Sequence, residues 1–177
     1  GRILNKKDPL WIVKNPTVWD ELFEIMPLVE QMDFTGGEPF MIAEHFDLLR
    51  RVVESGHAHH VSLHYNTNGT IRPSQEIFDL WEQFKSCEIM FSLDGIYEKF
   101  EYMRHPAKWD EVWNNYNHFK SIDWMHVQVC HTVSIYNVYY LEEFIEKFGR
   151  ENIYLNLLHF PRAYCVRNMP DKVKERV

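Results

Sequence analysis

The stretch that decides the fold runs from residue 29 to residue 40 and reads V-E-Q-M-D-F-T-G-G-E-P-F. Met32 and Phe34 are apolar at alternate positions, which predicts a short strand with at least one buried face. Two glycines end this strand, because residues without Cβ adopt a positive φ easily and let a ligand approach the backbone. Glu38 follows them and places a carboxylate at the mouth of the turn. Since α/β folds bind ligands at the carboxyl ends of strands, we expect a site here.

The rest of the chain alternates apolar strands with amphipathic helices. After the strand at 32–34, further strands are predicted at 61–65, 88–93, 127–133 and 153–158, and helices at 18–28, 42–54, 74–84, 109–119 and 140–148. This alternation predicts an α/β fold with a parallel sheet or barrel. A closed barrel of eight βα units takes about 250 residues, whereas this chain has 177. The prediction is therefore a partial (β/α)6 TIM-like barrel that lacks its first strand.

Composition excludes several classes of partner. The formal net charge is -7, from 19 basic and 26 acidic residues, which disfavours nucleic acid and anionic membrane surfaces. No apolar run approaches the roughly 18 residues of a membrane span, and no signal peptide is visible. We therefore expect a cytoplasmic protein with neither a nucleic-acid nor a membrane partner.

The residues that ligate metals do not form a recognisable motif. Cys87, Cys130 and Cys165 are the three cysteines, and their spacing fits no metal site. The run H-A-H-H at 57–60 lies between a helix and the next strand, so we expect a solvated loop at the end of the sheet opposite the glycine turn. No metal-ligating or catalytic residue is assigned from this sequence.

Four motifs carry a resemblance to a known family. T-G-G-E-P at 35–39 resembles the G-G-E motif that follows the second strand of radical S-adenosylmethionine (radical SAM) enzymes. T-N-G-T at 67–70 and S-L-D-G at 92–95 resemble the motifs after their third and fourth strands, and H-T-V-S at 131–134 with Asn137 resembles the fifth strand and its loop. The similarity extends from about Trp19 to Pro161. Arg104 lies where relatives with SPASM or twitch extensions carry an arginine.

The resemblance implies a set of SAM-binding residues, which are Thr35, Gly36, Gly37, Glu38, Thr67, Asn68, Ser92, Asp94 and Arg104. Glu38 would accept a hydrogen bond from the amino group of SAM, as an anionic acceptor suits a cationic donor. The glycines would let the methionine part of SAM lie along the backbone. Ser92 and Asp94 are two residues apart on a strand and so share a face. Arg104 would complete the site for the SAM carboxylate as a forked donor.

The resemblance also implies a reaction. Radical SAM enzymes hold a [4Fe–4S] cluster on C-x-x-x-C-x-x-C, cleave SAM reductively to a 5′-deoxyadenosyl radical and abstract hydrogen from a substrate, which in the SPASM or twitch subfamily is often a peptide or protein. No such cysteine run occurs here. We therefore expect residues 1–161 to be an incomplete core, truncated before the cluster loop and inactive alone with no cofactor bound. Residues 162–177 would begin a C-terminal extension.

Two alternatives remain open from the sequence. The first is a non-catalytic module of the same fold that binds a ligand or a partner. The second is a metal-independent α/β-barrel enzyme in which Glu38 and Asp94 act as acid and base.

A missing first strand would leave the strand at 32–34 without a partner on one side. Unpaired backbone groups along an apolar edge recruit other chains unless something covers them. We therefore expect either a homodimer formed through this edge or a fold-back of residues 1–15, with apolar Trp11 to Val13, over it.

Overall fold

The computed structural model describes residue 15 and residues 17–175. Its centre is a five-stranded sheet in the order β1-β2-β3-β4-β5 in which every neighbouring pair is parallel. The strands are β1 Gln31–Phe34, β2 Ser62–Thr67, β3 Ser86–Ser92, β4 His126–Val133 and β5 Ile153–Leu157. The helices are α1 Val18–Glu24, α2 Ala43–Glu54, α3 Gln75–Trp81, α4 Tyr97–Met103, α5 Trp109–Lys120, α6 Leu141–Phe148 and α7 Asp171–Lys174.

All five predicted strands and the α/β class are confirmed. Because consecutive strands are parallel neighbours, each connection must cross over the sheet, and each of the four crossovers contains at least one helix. The sheet is not closed among the described residues, with β1 at one edge and β5 at the other. The number of units in the predicted partial barrel stays a prediction.

The two faces of the sheet differ in polarity. Along β2, Leu63, Tyr65 and Thr67 are buried while the alternate positions are only half-buried, and β4 shows the same alternation. We call the helix-covered side the outer face and the other side the inner face. The inner face carries mostly polar side chains from the middle strands: Ser62, His64, Asn66, Ser86, Glu88, Met90, Ser92, His126, Gln128, Cys130 and Thr132. Parallel sheets are usually apolar on both sides, so the inner face is built for contact with something polar.

Aromatic side chains make the core between the outer face and the helices. Trp81 and Tyr65 are fully buried, and the indole Nε1 donates to the Tyr65 hydroxyl at 3.2 Å. Phe119 packs against the Trp81 ring. Met32 and Phe34 of β1 lie against the same core, as their alternation predicted.

The predicted helices are corrected at several points. The helix predicted at 18–28 ends at Glu24 and gives way to a 3-10 turn, Met26–Leu28, where Pro27 cannot continue an α-helix. Helix α4 was not predicted at all. The segment after β5 folds back, and Met169 packs against Val133 and Val138.

No described helix is both long and apolar enough to cross a membrane.

Candidate ligand-binding site

The glycine turn after β1 forms an open cradle. Gly36 and Gly37 have φ values of 86° and 57°, a region that favours glycine. A Cβ built on either residue would meet no atom within 4 Å, so the space beside this backbone is empty. Thr35 is exposed at its entrance. The turn can therefore take a ligand directly against its main chain.

Glu38 does not face solvent, which corrects the expectation that it lies at the mouth of the turn. Its exposed fraction is 7%, and its carboxylate holds the turn that follows β2. Oε1 and Oε2 lie 2.9 and 3.0 Å from the Thr67 hydroxyl, and Oε2 accepts from the Asn68 N–H at 2.8 Å. Oε1 also accepts from the Phe40 N–H at 3.3 Å. Glu38 thus joins the ends of β1 and β2, and its predicted contact with SAM stays a prediction.

The turn after β2 is shaped by its own side chains. Thr67, which was expected to line the mouth, is buried and accepts from the Gly69 N–H at 3.0 Å. Asn68 Oδ1 accepts from the Thr70 N–H at 2.8 Å, an Asx-type turn. A Cβ on Gly69 would lie 2.7 Å from the Phe91 ring, so only glycine fits there.

Asp94 ties the end of β3 to the end of β4. Its Oδ1 accepts from the Thr132 N–H at 2.9 Å, and its Oδ2 lies 2.8 Å from Nε and 2.6 Å from Nη2 of Arg104. Ser92 ends β3 and is half-buried. Arg104, which was predicted to bind the SAM carboxylate, therefore forms a direct ion pair with Asp94 through Nε and Nη2.

Asn137 completes the same network from the loop after β4. Its side-chain amide donates to the carbonyl oxygens of Asp94 at 3.0 Å and Thr132 at 2.9 Å. Its Oδ1 accepts from the Ser134 N–H at 2.7 Å. The buried amide therefore fixes the backbone of both strand ends.

A cavity of about 380 Å³ opens above this network. Polar groups form much of its wall, and two tyrosines and a methionine add aromatic and apolar surface. The residues that line it are Asp94, Tyr102, Met103, Thr132, Ser134, Tyr136, Asn137 and Leu158. Ligand pockets typically have volumes of about 300–1,000 Å³. The cavity adjoins the carboxyl ends of β3 and β4, the edge to which the glycine turn also belongs.

Burial shapes the titration of two groups beside this network. Burial raises the pKa of the Cys130 thiol, and the Asp94 charge raises it further. Burial lowers the pKa of His131, whose Nδ1 lies 3.0 Å from the Leu93 carbonyl oxygen. Because that carbonyl only accepts, Nδ1 carries a proton, and the lowered pKa favours the neutral ring. Both side chains are uncharged near neutral pH.

The motif residues lie at the carboxyl ends of the strands, but the sequence did not predict their contacts with one another. The structure brings Glu38 together with Thr67 and Asn68, and Asp94 together with Arg104. Tyr102 and Tyr136 beside the cavity were missed, because nothing in their spacing marks them. The Glu38 and Asp94 carboxylates are poorly placed to act as a catalytic acid and base. Both already accept hydrogen bonds that hold the fold together.

The described part of the chain contains no group of three His, Cys, Asp or Glu side chains that could hold a metal ion. Cys87 and Cys165 are buried, and Cys130 lies on the inner face. Iron–sulfur clusters are usually held by several thiolates together, so these residues do not fit a cluster. The H-A-H-H run forms a 3-10 turn, Ala58–His60, just before β2, at the opposite end of the sheet from the site as predicted.

The fold matches that of solved radical SAM structures. No family profile and no curated protein matches the sequence. Native anSMEcpe with bound AdoMet (SAM) aligns with a TM-score of 0.64 at 15% identity, over 80% of this chain and 41% of that chain. The complex of anSMEcpe with AdoMet and the Cp18Cys peptide aligns with a TM-score of 0.61 at 14% identity, over 81% and 43%.

A third structure, anSMEcpe with AdoMet and the Kp18Cys peptide, gives a TM-score of 0.57 at 16% identity, over 77% of this chain and 42% of that chain. anSMEcpe is an anaerobic sulfatase-maturating radical SAM enzyme. The described chain therefore has the fold of a radical SAM core, as its motifs predicted. It spans less than half the length of each of the three anSMEcpe chains.

Proposed function

We propose that this chain is the SAM-binding part of a radical SAM enzyme. The observation that carries the proposal is the open glycine cradle, which shares the carboxyl edge of the sheet with the cavity beside Asp94. Structures with the same fold have AdoMet bound. Together with a reducing cluster, SAM would supply a 5′-deoxyadenosyl radical that takes hydrogen from a substrate.

The cradle would hold the methionine part of SAM. The free carbonyl oxygens of a glycine turn suit an ammonium group, and the empty space beside Gly36 and Gly37 leaves room for it. Glu38 would act indirectly, because its carboxylate fixes the Asn68 backbone beside the cradle. Arg104, oriented by Asp94, would offer its remaining N–H groups to the SAM carboxylate.

The cavity would hold the nucleoside part of SAM. The hydroxyl groups of Thr132 and Ser134 suit the sugar and base edges, and the Tyr136 ring suits an aromatic face. No step is assigned to a cluster, because the described cysteines do not supply its ligands. On this ground we propose that the 177-residue chain does not cleave SAM by itself and purifies without a cluster.

The substrate we propose is a peptide or protein. The polar inner face of the sheet leads up to the site and offers hydrogen-bonding groups along its length. Two of the structures with this fold hold peptides. All three cysteines are free, which supports the proposal that the protein works in a reducing compartment such as the cytoplasm.

Alkylation of Cys130 tests SAM binding directly. Cys130 lies beside Ser92 in register on the inner face, whereas Cys87 and Cys165 are each 1% exposed and serve as internal references. Without a cluster, we expect a dissociation constant no tighter than roughly 1 mM. SAM at several times that concentration should slow the reaction of Cys130 with iodoacetamide several-fold at alkaline pH.

The chain offers a matched pair of variants for this test. Gly36 and Gly56 both have a positive φ and open space for a Cβ, but only Gly36 lies in the cradle. Gly36→Ala should abolish the protection of Cys130 by SAM, and Gly56→Ala should retain it. Equal protection in both variants, or none in the unchanged protein, would overturn the proposal.

We further propose that the chain forms a homodimer through β1. Among the described residues β1 pairs only with β2, and Gln31–Phe34 contains no proline to block a further strand. Light scattering should then give about twice the 21.4 kDa of one chain. The alternative prediction, that residues 1–15 with Trp11 to Val13 fold back over the edge of β1, concerns a segment that lies outside the described residues. A monomer whose Met32 to Phe34 amides exchange freely with solvent would contradict both versions.

A further inference from the structure

A buried imidazole nitrogen on the outer face has no partner among the described residues. His131 of β4 is 1% exposed, and its Nδ1 donates to the Leu93 carbonyl oxygen at 3.0 Å. Its Nε2 is buried, and no group in the described part of the chain forms a hydrogen bond with it. Because Nδ1 carries the proton that Leu93 accepts, Nε2 presents a lone pair that requires a donor. Buried polar atoms are nearly always hydrogen-bonded, so this nitrogen needs its own explanation.

His131 lines a small pocket where β4 meets helices α4 and α6. The pocket has a volume of about 10 Å³, and its apolar wall includes buried Ile96 and Phe144 and half-buried Met103. The Phe144 ring packs on the imidazole with 4.1 Å between the ring centroids. A space of about 10–15 Å³ is enough for one water molecule. The pocket therefore has room for a single water and is too small for an organic ligand.

Lys99 of α4 offers the second polar partner that a buried water requires. Its side chain lines the pocket and is 29% exposed. Nζ donates to Glu143 Oε2 at 2.5 Å and lies 4.3 Å from the centre of the Tyr140 ring. An ammonium group has three N–H donors, so donors remain after the bond to Glu143.

We propose that this pocket binds one water molecule, which donates to His131 Nε2 and accepts from Lys99 Nζ. The roles match at both ends, since the unprotonated nitrogen only accepts and the ammonium only donates. The water joins β4 to α4 and satisfies the buried imidazole. Asp94, Met103 and Asn137 line both this pocket and the cavity proposed for SAM, so the water lies behind part of the wall of that cavity. The site itself does not depend on SAM binding.

The chemistry of the pocket disfavours ions of similar size. A halide ion has no proton to donate to the lone pair of Nε2. An ammonium ion could donate, but it would meet the positive charge of Lys99. A neutral water molecule meets neither obstacle, because it donates and accepts at once.

Nuclear magnetic resonance tests the site without any added ligand. In the 15N-labelled chain, the ring of His131 should have a protonated Nδ1 and an unprotonated Nε2. The carbon-bound ring protons Hδ2 and Hε1 lie on either side of Nε2, so both should show a nuclear Overhauser effect to bound water. His45 is the internal control, because its Nε2 is also buried without a partner in the described chain. Its ring packs against Phe34, Phe46 and Tyr65 and does not line this pocket, so it should show no such effect.

A matched pair of lysine variants tests the second partner. Lys99→Met removes the ammonium donor and keeps a long side chain, so the residence time of the water should fall about threefold. The ratio of the Overhauser effects in the laboratory and rotating frames reports this time. Lys147→Met removes a similar lysine, which lies over the Trp113 ring at 4.1 Å and does not line the pocket. This control should leave the residence time unchanged.

Several outcomes would overturn the inference. The first is an Overhauser effect from water that is missing at His131 in the unchanged protein, and the second is one that is equally strong at His45. The third is an effect at His131 that is undiminished in folded Lys99→Met, and the fourth is one lost there altogether, which would trace it to the ammonium protons. None of these readouts requires SAM, so the SAM proposal fails or succeeds separately.

Discussion

At the scale of single residues, the carboxylate of Glu38 decides how the site is built. A motif comparison suggests that this acid contacts the ligand, yet its oxygens accept from Thr67, Asn68 and Phe40. The contact surface that we propose for a ligand is then the glycine backbone in front of it. Substitution of Glu38 should consequently affect the fold before it affects binding.

Glu38→Gln provides the test at this scale. The side-chain amide that this change introduces would turn its NH2 donor toward either the Asn68 N–H or the Phe40 N–H, so at least one buried hydrogen bond is lost. We expect the free energy of unfolding to fall by about 1–3 kcal/mol in urea titrations. Glu82→Gln, an exposed change, should alter it by less than about 0.5 kcal/mol. Equal stability of the two variants would show that Glu38 is not structural.

The residue types at the site could be predicted from the sequence, whereas their partners could not. Motif order identified Glu38, Asp94 and Arg104 because turns at strand ends have recognisable local chemistry. The hydrogen bonds from Thr67 and Asn68 to Glu38 span 29 and 30 positions in the chain. Such contacts depend on strand register, and no local pattern encodes that register.

At the scale of elements, all five strands and every helix between them except α4 were predictable. Alternating apolar residues located all five strands, and apolar stripes located α2 and α5. Helix α4 was missed although α1 and α3 are equally short, and it starts at Tyr97 with an unusual φ of 52°. Gly95 explains its position, since a Cβ there would lie 2.7 Å from Met103 of α4.

Helix α2 provides a test by pH. His45 lies in its first turn, 2% exposed, with Nδ1 donating to the Ile42 carbonyl oxygen at 2.6 Å. Burial lowers the pKa of His45 to about 4 from its ordinary value of 6.5. Between these pH values the unfolded chain binds a proton that the folded chain does not. Stability is therefore fully present above pH 6.5 and is lost as pH falls toward 4.

The expected loss from His45 is about 3 kcal/mol across that window. His45→Phe keeps an aromatic ring beside Phe34 and Tyr65 and removes the titration. Urea unfolding at several pH values should show that the free energy of unfolding depends less on pH in the variant. The pKa of buried His131 is also lowered by burial, and its contribution is the same in both proteins. Parallel profiles would contradict the assignment.

At the scale of the whole molecule, the division between the two faces of the sheet organises function. The outer face and its helices hold the fold through aromatic packing. The carboxyl edge carries the groups that we propose for ligand binding, which are the glycine cradle and the cavity beside Asp94. The alternation within each strand predicts a polar inner face. The order of the strands in the sheet, in contrast, is known only from the structure.

Chemical-shift mapping of the 15N-labelled chain with SAM tests the central claim most directly, because it detects binding in the millimolar range and locates it. The account predicts concentration-dependent shifts at the amides of Gly36, Gly37, Thr132 and Tyr136, with little change at Gly56 and at the 3-10 turn before β2. Shifts confined to other surfaces, or none at saturating SAM, would contradict the claim that the carboxyl edge of this sheet binds SAM.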